Sequence, residues 1–248
     1  MTRLIGSEFL KLRTTRTFWW LSLVAVALPV VITVITLATS HTTSNNDARA
    51  LLSNIGIAGL FMIILGVVGA AGEYRHGTIT STFLVAPDRR RVLVAKGIAH
   101  GLGGLLTGAV TAALVIAISI PWLSAQGHAV GTLGVPTGDV VAIAAGSIVY
   151  AGLAAVFGVG FGSLVTNQVA AVVMVLVLVS VIDPVVAGLV NGYGRFSLQG
   201  LAMGLSGATD KNAGYELFAP VVAGLIYLGY TTVLLTAATL VVPQRDVG

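Results

Sequence analysis

Few residues in this chain could do chemistry, and most of them are scattered. Its 248 positions hold 13 Lys and Arg, 9 Asp and Glu and 4 His, with no Cys. The missing thiols remove disulfides, thiolate metal sites and thiol nucleophiles together. His41, His76, His100 and His128 share no metal-ligand spacing, and HExxH is absent, so no metal site is expected. Gly160-Phe161-Gly162-Ser163 lacks the G-x-S-x-G elbow that presents a serine nucleophile, which leaves no candidate catalytic residue. Two features remain. Asp183, followed by Pro184, is a carboxylate inside an apolar run, and residues 73–96 gather the densest charges in the chain, from Glu73 and Arg75 through Arg89, Arg90 and Arg91 to Lys96.

The elements that must position these groups follow from composition. Hydrophobic residues make up 56% and charged residues 9%, against about 25% charged in a soluble domain. The apolar residues fall in runs matching the roughly 20 residues a helix needs to cross hydrocarbon. Spans are predicted at 18–37, 51–71, 98–122, 140–164, 169–190 and 217–242, giving an all-α polytopic membrane protein with a single transmembrane domain over 1–248. Pro29 and Pro220 fall inside the first and last runs and are expected to kink them. Glycines inside the spans, such as Gly66, Gly69 and Gly72 or Gly158 and Gly162, suit close helix packing. No internal repeat is evident, which disfavours an inverted-repeat carrier.

Residues 2–17 set Ile5, Phe9, Leu12 and Arg16 at helical steps. They read as an amphipathic helix in the membrane surface, with a solvated basic tail as the alternative. Residues 1–16 are polar and basic, so the first apolar run is expected to stay as an anchor and not to be cleaved. Trp19 and Trp20 sit where an aromatic belt belongs. One set of loops holds Arg3, Lys11, Arg13, Arg16, Arg75, Arg89, Arg90, Arg91, Lys96 and Arg245, and the other only Arg49, Arg195 and Lys211. The positive-inside rule then places both termini in the cytoplasm.

The loop 73–96 has an internal order. Glu73 closes the second span, Gly77 and Thr78 can start a short helix, and Pro87 ends it. Ile79, Phe83 and Leu84 form an apolar edge suited to docking in a groove on a cytoplasmic partner. The plainer alternative is a loop that only sets topology.

An acidic residue, Gly-Thr four residues on, apolar residues, Pro, Arg and then Lys resembles the loop of the permease subunits of type-II ABC exporters, which include bacterial drug, antibiotic and lantibiotic-immunity exporters. Here these are Glu73, Gly77, Thr78, Leu84, Pro87, Arg89 or Arg90, and Lys96. The segment 2–17 is similar to that family's connecting helix. The resemblance implies a multi-pass subunit of a bacterial cell membrane, paired with an identical or related permease copy and two ATP-binding cassette subunits. It implies coupling to those subunits through Glu73, Gly77, Thr78, Ile79, Phe83 and Pro87. ATP and Mg belong on the partner, because this chain lacks a G-x-x-x-x-G-K-[ST] phosphate loop, and by itself it is expected to hydrolyse nothing.

Asp183 is open to two readings: a pathway residue that contacts substrate or cation, or part of a local helix break near the outer end of its span. The following loop, 191–216, either dips into the interface through Phe196, Leu198, Leu201, Ala202 and Leu205, as the resemblance suggests, or is a solvated Gly-rich loop. Outside the exporter reading, an ion-coupled secondary carrier or channel would explain the spans without a partner. It would have to work with Asp183 and His100 alone inside the membrane.

Overall fold

The computed structural model describes residues 1–39, 45–75, 77, 88–125, 136–165, 167–207 and 215–242. Among these residues the chain is helical and has no strand. In order, the helices are α1 (Thr2–Thr14), α2 (Arg16–Thr39), α3 (Asn45–Ser53), α4 (Ala58–Arg75), α5 (Arg89–Ala125), α6 (Thr137–Leu164), α7 (Gln168–Val177), α8 (Asp183–Leu189), α9 (Leu198–Leu205) and α10 (Pro220–Val241). A tight turn over Asn54–Ile57 joins α3 to α4, and a wide π turn over Leu178–Ile182 joins α7 to α8. Six helical stretches are long and apolar enough to span: Arg16–Thr39, Asp47–Arg75, Arg89–Ala125, Thr137–Leu164, Gln168–Leu189 and Pro220–Val241. The protein is an all-α polytopic membrane protein. Its basic end carries α1, Arg75 and Arg89 to Lys96; α3 and α9 lie at the opposite, distal end.

The middle of the bundle is the crossing of α4 and α6. A Cβ on Gly66 would lie 2.1 Å from the Ala155 carbonyl oxygen, and one on Gly158 would lie 2.1 Å from that of Ile63. The two backbones therefore touch directly, which only glycine permits at both positions. Close approach of this kind substitutes for the hydrophobic drive that lipid, as apolar as leucine, removes from helix association. Met62, Ile63 and Val67 of α4, Ala151 and Ala155 of α6 and Tyr227 of α10 fill the core around the crossing. Helices α2, α7, α8 and α10 wrap it and turn leucine and valine outward, as at Leu23, Val173, Val185 and Val233.

Two boundaries depart from the apolar runs, and the buried face of the first helix departs from its apolar stripe. Helix α5 begins at Arg89, well before the predicted 98, because Asp88 caps it: its carboxylate accepts from the Arg91 backbone N–H at 3.2 Å and pairs with the Arg91 guanidinium at 2.9 Å. Pro220 does not kink the last span. It is the first residue of α10, where its missing N–H has no helical partner to lose. On α1 the side that meets the protein carries Glu8 and Leu12, while Phe9 faces outward. The stripe of Ile5, Phe9, Leu12 and Arg16 is therefore not one packed face.

Candidate functional site

The corner between α1 and α2 is made at Thr15, whose extended backbone breaks the helix, and the Trp19 indole N–H donates to the Arg13 carbonyl at 2.9 Å across it. This corner folds α1 back beneath the bundle and brings Glu8 against the basic ends of α4 and α5.

Four charged side chains meet there. Lys96 donates to the Glu8 carboxylate at 2.6 Å and to Glu73 Oε1 at 2.9 Å. Lys11 donates to the other Glu8 oxygen at 2.6 Å and to the same Glu73 oxygen at 2.9 Å. The side chains of Glu8 and Lys96 are 3% and 6% exposed, whereas that of Lys11 is 44% exposed. Burial alone would raise the Glu8 carboxyl, but Lys96 and Lys11 outweigh it and hold the group below its ordinary value. Burial likewise pushes the Lys11 amine down, and Glu8 and Glu73 overcome this and raise it. Two carboxylates and two ammoniums cancel, so the cluster is a neutral clamp joining α1, α4 and α5.

This clamp closes the base of the segment 73–96. Gly77, just after α4, takes a left-handed backbone (φ +66°), and its N–H reaches the Tyr74 carbonyl at 3.4 Å. At the other side of the segment, Arg89 donates to the Val242 carbonyl at 3.2 Å, tying the start of α5 to the end of α10. Thr78, Ile79, Phe83 and Pro87 lie outside the described residues.

Sequence reasoning picked out Glu73 and Lys96, gave Lys11 only a part in setting topology and gave Glu8 no role. The signal was present: a lone acid, three residues before a lysine, in an otherwise basic segment.

Asp183 lies far from the clamp, toward the distal end, and is buried at the π turn. One of its oxygens accepts from the Tyr193 hydroxyl at 2.9 Å and the other from the Gln199 backbone N–H at 3.2 Å. Burial, then Asp183 itself, pushes the Tyr193 hydroxyl up to about 12, so it remains a donor. After α8 the chain turns back into the bundle. Tyr230, ten residues into α10, donates to the Phe196 carbonyl at 3.1 Å, and Leu198, Leu201 and Leu205 are buried. Ser197 caps α9 through the Gly200 N–H at 2.8 Å. Asp183 thus fastens a re-entrant segment to the fifth span. Nearby, Arg49 of α3 pairs with Asp139 of α6.

Residues 4–183 match the family described as ABC-2 family transporter protein. The chain belongs to this family. It is an ABC-2 permease, and the matched region runs from α1 to Asp183, so it contains the whole clamp. No curated protein matches the chain. Among the described residues of the permease, no group of three or more His, Asp or Glu could hold a metal ion.

Proposed function

We propose that this ABC-2 permease is the membrane-spanning subunit of an ATP-driven exporter. In this reading it lies in a bacterial cell membrane with both termini cytoplasmic. It pairs with a second permease copy, identical or related, and two ATP-binding subunits dock on the segment 73–96 through Glu73, Gly77, Thr78, Ile79, Phe83 and Pro87. ATP and Mg reside on those partners. The cargo class implied is that of drug and antibiotic exporters.

The observation that carries the reading is the clamp. Glu73 and Lys96 bracket the loop and are locked to each other and to α1 at hydrogen-bonding distance. A displacement applied to the loop from below therefore reaches α1, α4 and α5 together. Asp183, with both oxygens engaged by the re-entrant segment, is better suited to holding that segment than to exchanging cations along a pathway.

The test is affinity purification from native membranes followed by ATPase and transport assays. A stoichiometric P-loop subunit with vanadate-sensitive ATPase is expected. Glu73→Ala and Gly77→Pro should insert and assemble but lose ATP-driven transport. Normal transport by both variants would remove the coupling role, and purification of an intact chain with no such subunit would remove the exporter reading.

A further inference from the structure

The acids described at the basic end are all engaged: Glu8 and Glu73 with Lys11 and Lys96, and Asp88 with Arg91. Arg13 and Arg16, on either side of the corner at Thr15, are exposed and enter no ion pair among the described residues. A cation in the last turn of α1 complements the carbonyl end of that helix, which accounts for Arg13. Arg16 has no such account. It stands in the first turn of α2, the end that disfavours positive charge, and no acidic residue accompanies it there.

The depth of the pair follows from α2. Arg16 heads a stripe of exposed side chains that runs through Trp20, Leu23, Val31 and Val34, so this face of the helix looks outward from the bundle. From Trp20 to Leu37 the helix rises about 26 Å, close to the roughly 30 Å of a hydrocarbon core, which sets Trp20 at its boundary. Trp19 and Trp20 are 58% and 66% exposed, as suits an interfacial aromatic belt. Arg16 lies four residues, or about 6 Å, further out, within a headgroup layer of roughly 5–7 Å a side. The bond from the Trp19 indole to the Arg13 carbonyl at 2.9 Å holds Arg13 at the same level. Two unpaired guanidinium groups therefore stand where lipid phosphates lie, and a guanidinium meets phosphate oxygens with paired N–H donors.

We propose that Arg13 and Arg16 bind the phosphate of an anionic phospholipid whose chains lie along the outward face of α2, beside Trp20 and Leu23. A second copy of this chain is a poor source of the anion, since its described acids at this end are engaged in the same way. The headgroup depth of the pair favours a lipid over a soluble acidic protein. The inference uses only the membrane-spanning fold, so it stands or falls separately from the exporter reading.

The experiment uses the full chain with whatever subunits co-purify, in phosphatidylcholine bilayers containing a trace of phosphatidylglycerol with a diazirine close to its glycerol backbone. Photolabel is expected on peptides containing Thr14 to Leu23. Unlabelled phosphatidylglycerol should compete, whereas diacylglycerol, which lacks the phosphate, and inorganic phosphate at constant ionic strength should not. One basic residue near a membrane surface is worth about 1 kcal/mol, so Arg13→Gln and Arg16→Gln should each lower labelling about fivefold, and together about 25-fold. Both side chains are exposed, so the variants should fold, which size exclusion checks. Arg3→Gln is the control. It removes an equal charge about 15 Å away along α1, beyond the roughly 10 Å screening length at 0.1 M salt, and should leave labelling nearly unchanged. Equal competition by diacylglycerol, unchanged labelling of the folded double variant, or an equal loss in Arg3→Gln would overturn the proposal. So would labelling seen only after co-purifying subunits are stripped away, because a protein would then occupy this face.

Discussion

Removing one charge from the clamp should hurt the protein more than removing two. Glu8→Leu leaves Lys11, Lys96 and Glu73, a net positive cluster, while Lys96→Met leaves Glu8, Glu73 and Lys11, a net negative one. The double variant keeps only Lys11 and Glu73, which neutralise each other at 2.9 Å. Breaking a buried ion pair by deleting one partner costs about 3–5 kcal/mol, whereas replacing both with apolar side chains of similar size is near neutral. Each single change leaves the orphaned group a second contact, so the lower figure of about 3 kcal/mol applies. The Lys11 links are discounted because that side chain is 44% exposed. At roughly 2–4 °C per kcal/mol for a chain of this length, each single variant should melt roughly 6–12 °C early. The double variant should fall within about 2–4 °C of the parent. Thermal unfolding in mild detergent, followed by size exclusion, measures all four proteins. A double variant whose loss equals the sum of the singles would refute the argument, because the four charges would then not act as one unit.

Further outcomes follow from the same structure. Glu8 is held below 4.5 and Lys11 above 10.5. Their stabilisation should be fully present between those values, lost as pH falls through the depressed Glu8 value, and lost as it rises through the raised Lys11 value. Melting temperature against pH, parent minus Glu8→Leu/Lys96→Met, should be small and flat across that window and turn negative at its acid edge, where protonating Glu8 leaves the buried Lys96 of the parent without one of its two carboxylates. Gly66→Ala and Gly158→Ala each place a methyl 2.1 Å from a backbone oxygen, so detergent-solubilised protein should be largely misfolded. Gly229→Ala, with nothing within 4 Å, should behave as the parent in the same size-exclusion assay. Asp183→Asn sets an amide where two donors arrive, so hydrogen exchange across 190–205 should quicken about tenfold or more, the effect of losing a buried acceptor. Unchanged protection there would show that Asp183 does not hold the re-entrant segment.

The six spans were legible because runs of apolar residues are the whole signal that lipid requires. Hydropathy could not see the first turns of α5, since Arg89 to Arg91 lie where charge is tolerated and it is Asp88 that caps the helix. Lys96 read as a loop residue and is instead buried, because two carboxylates from other elements accompany it. Glu8 escaped notice for the same reason: its partner is 88 residues away, and only the folded corner at Thr15 brings them together. The role of Asp183 as a fastener depended on a π turn and on Tyr193, neither of which periodicity reveals.

The span of sequence inside the clamp also orders events during synthesis. Lys96 is made 88 residues after Glu8, a delay of about 4–18 s at 5–20 residues per second. Until then α1 has no seat, yet Glu8 is not left as a bare carboxylate, because Lys11 is only three residues away and can pair with it as soon as the first helix forms. The local pair acts as a temporary keeper for a contact whose final partner arrives with the third span. The docking of α1 is thus a late event that reports the successful insertion of the second and third spans.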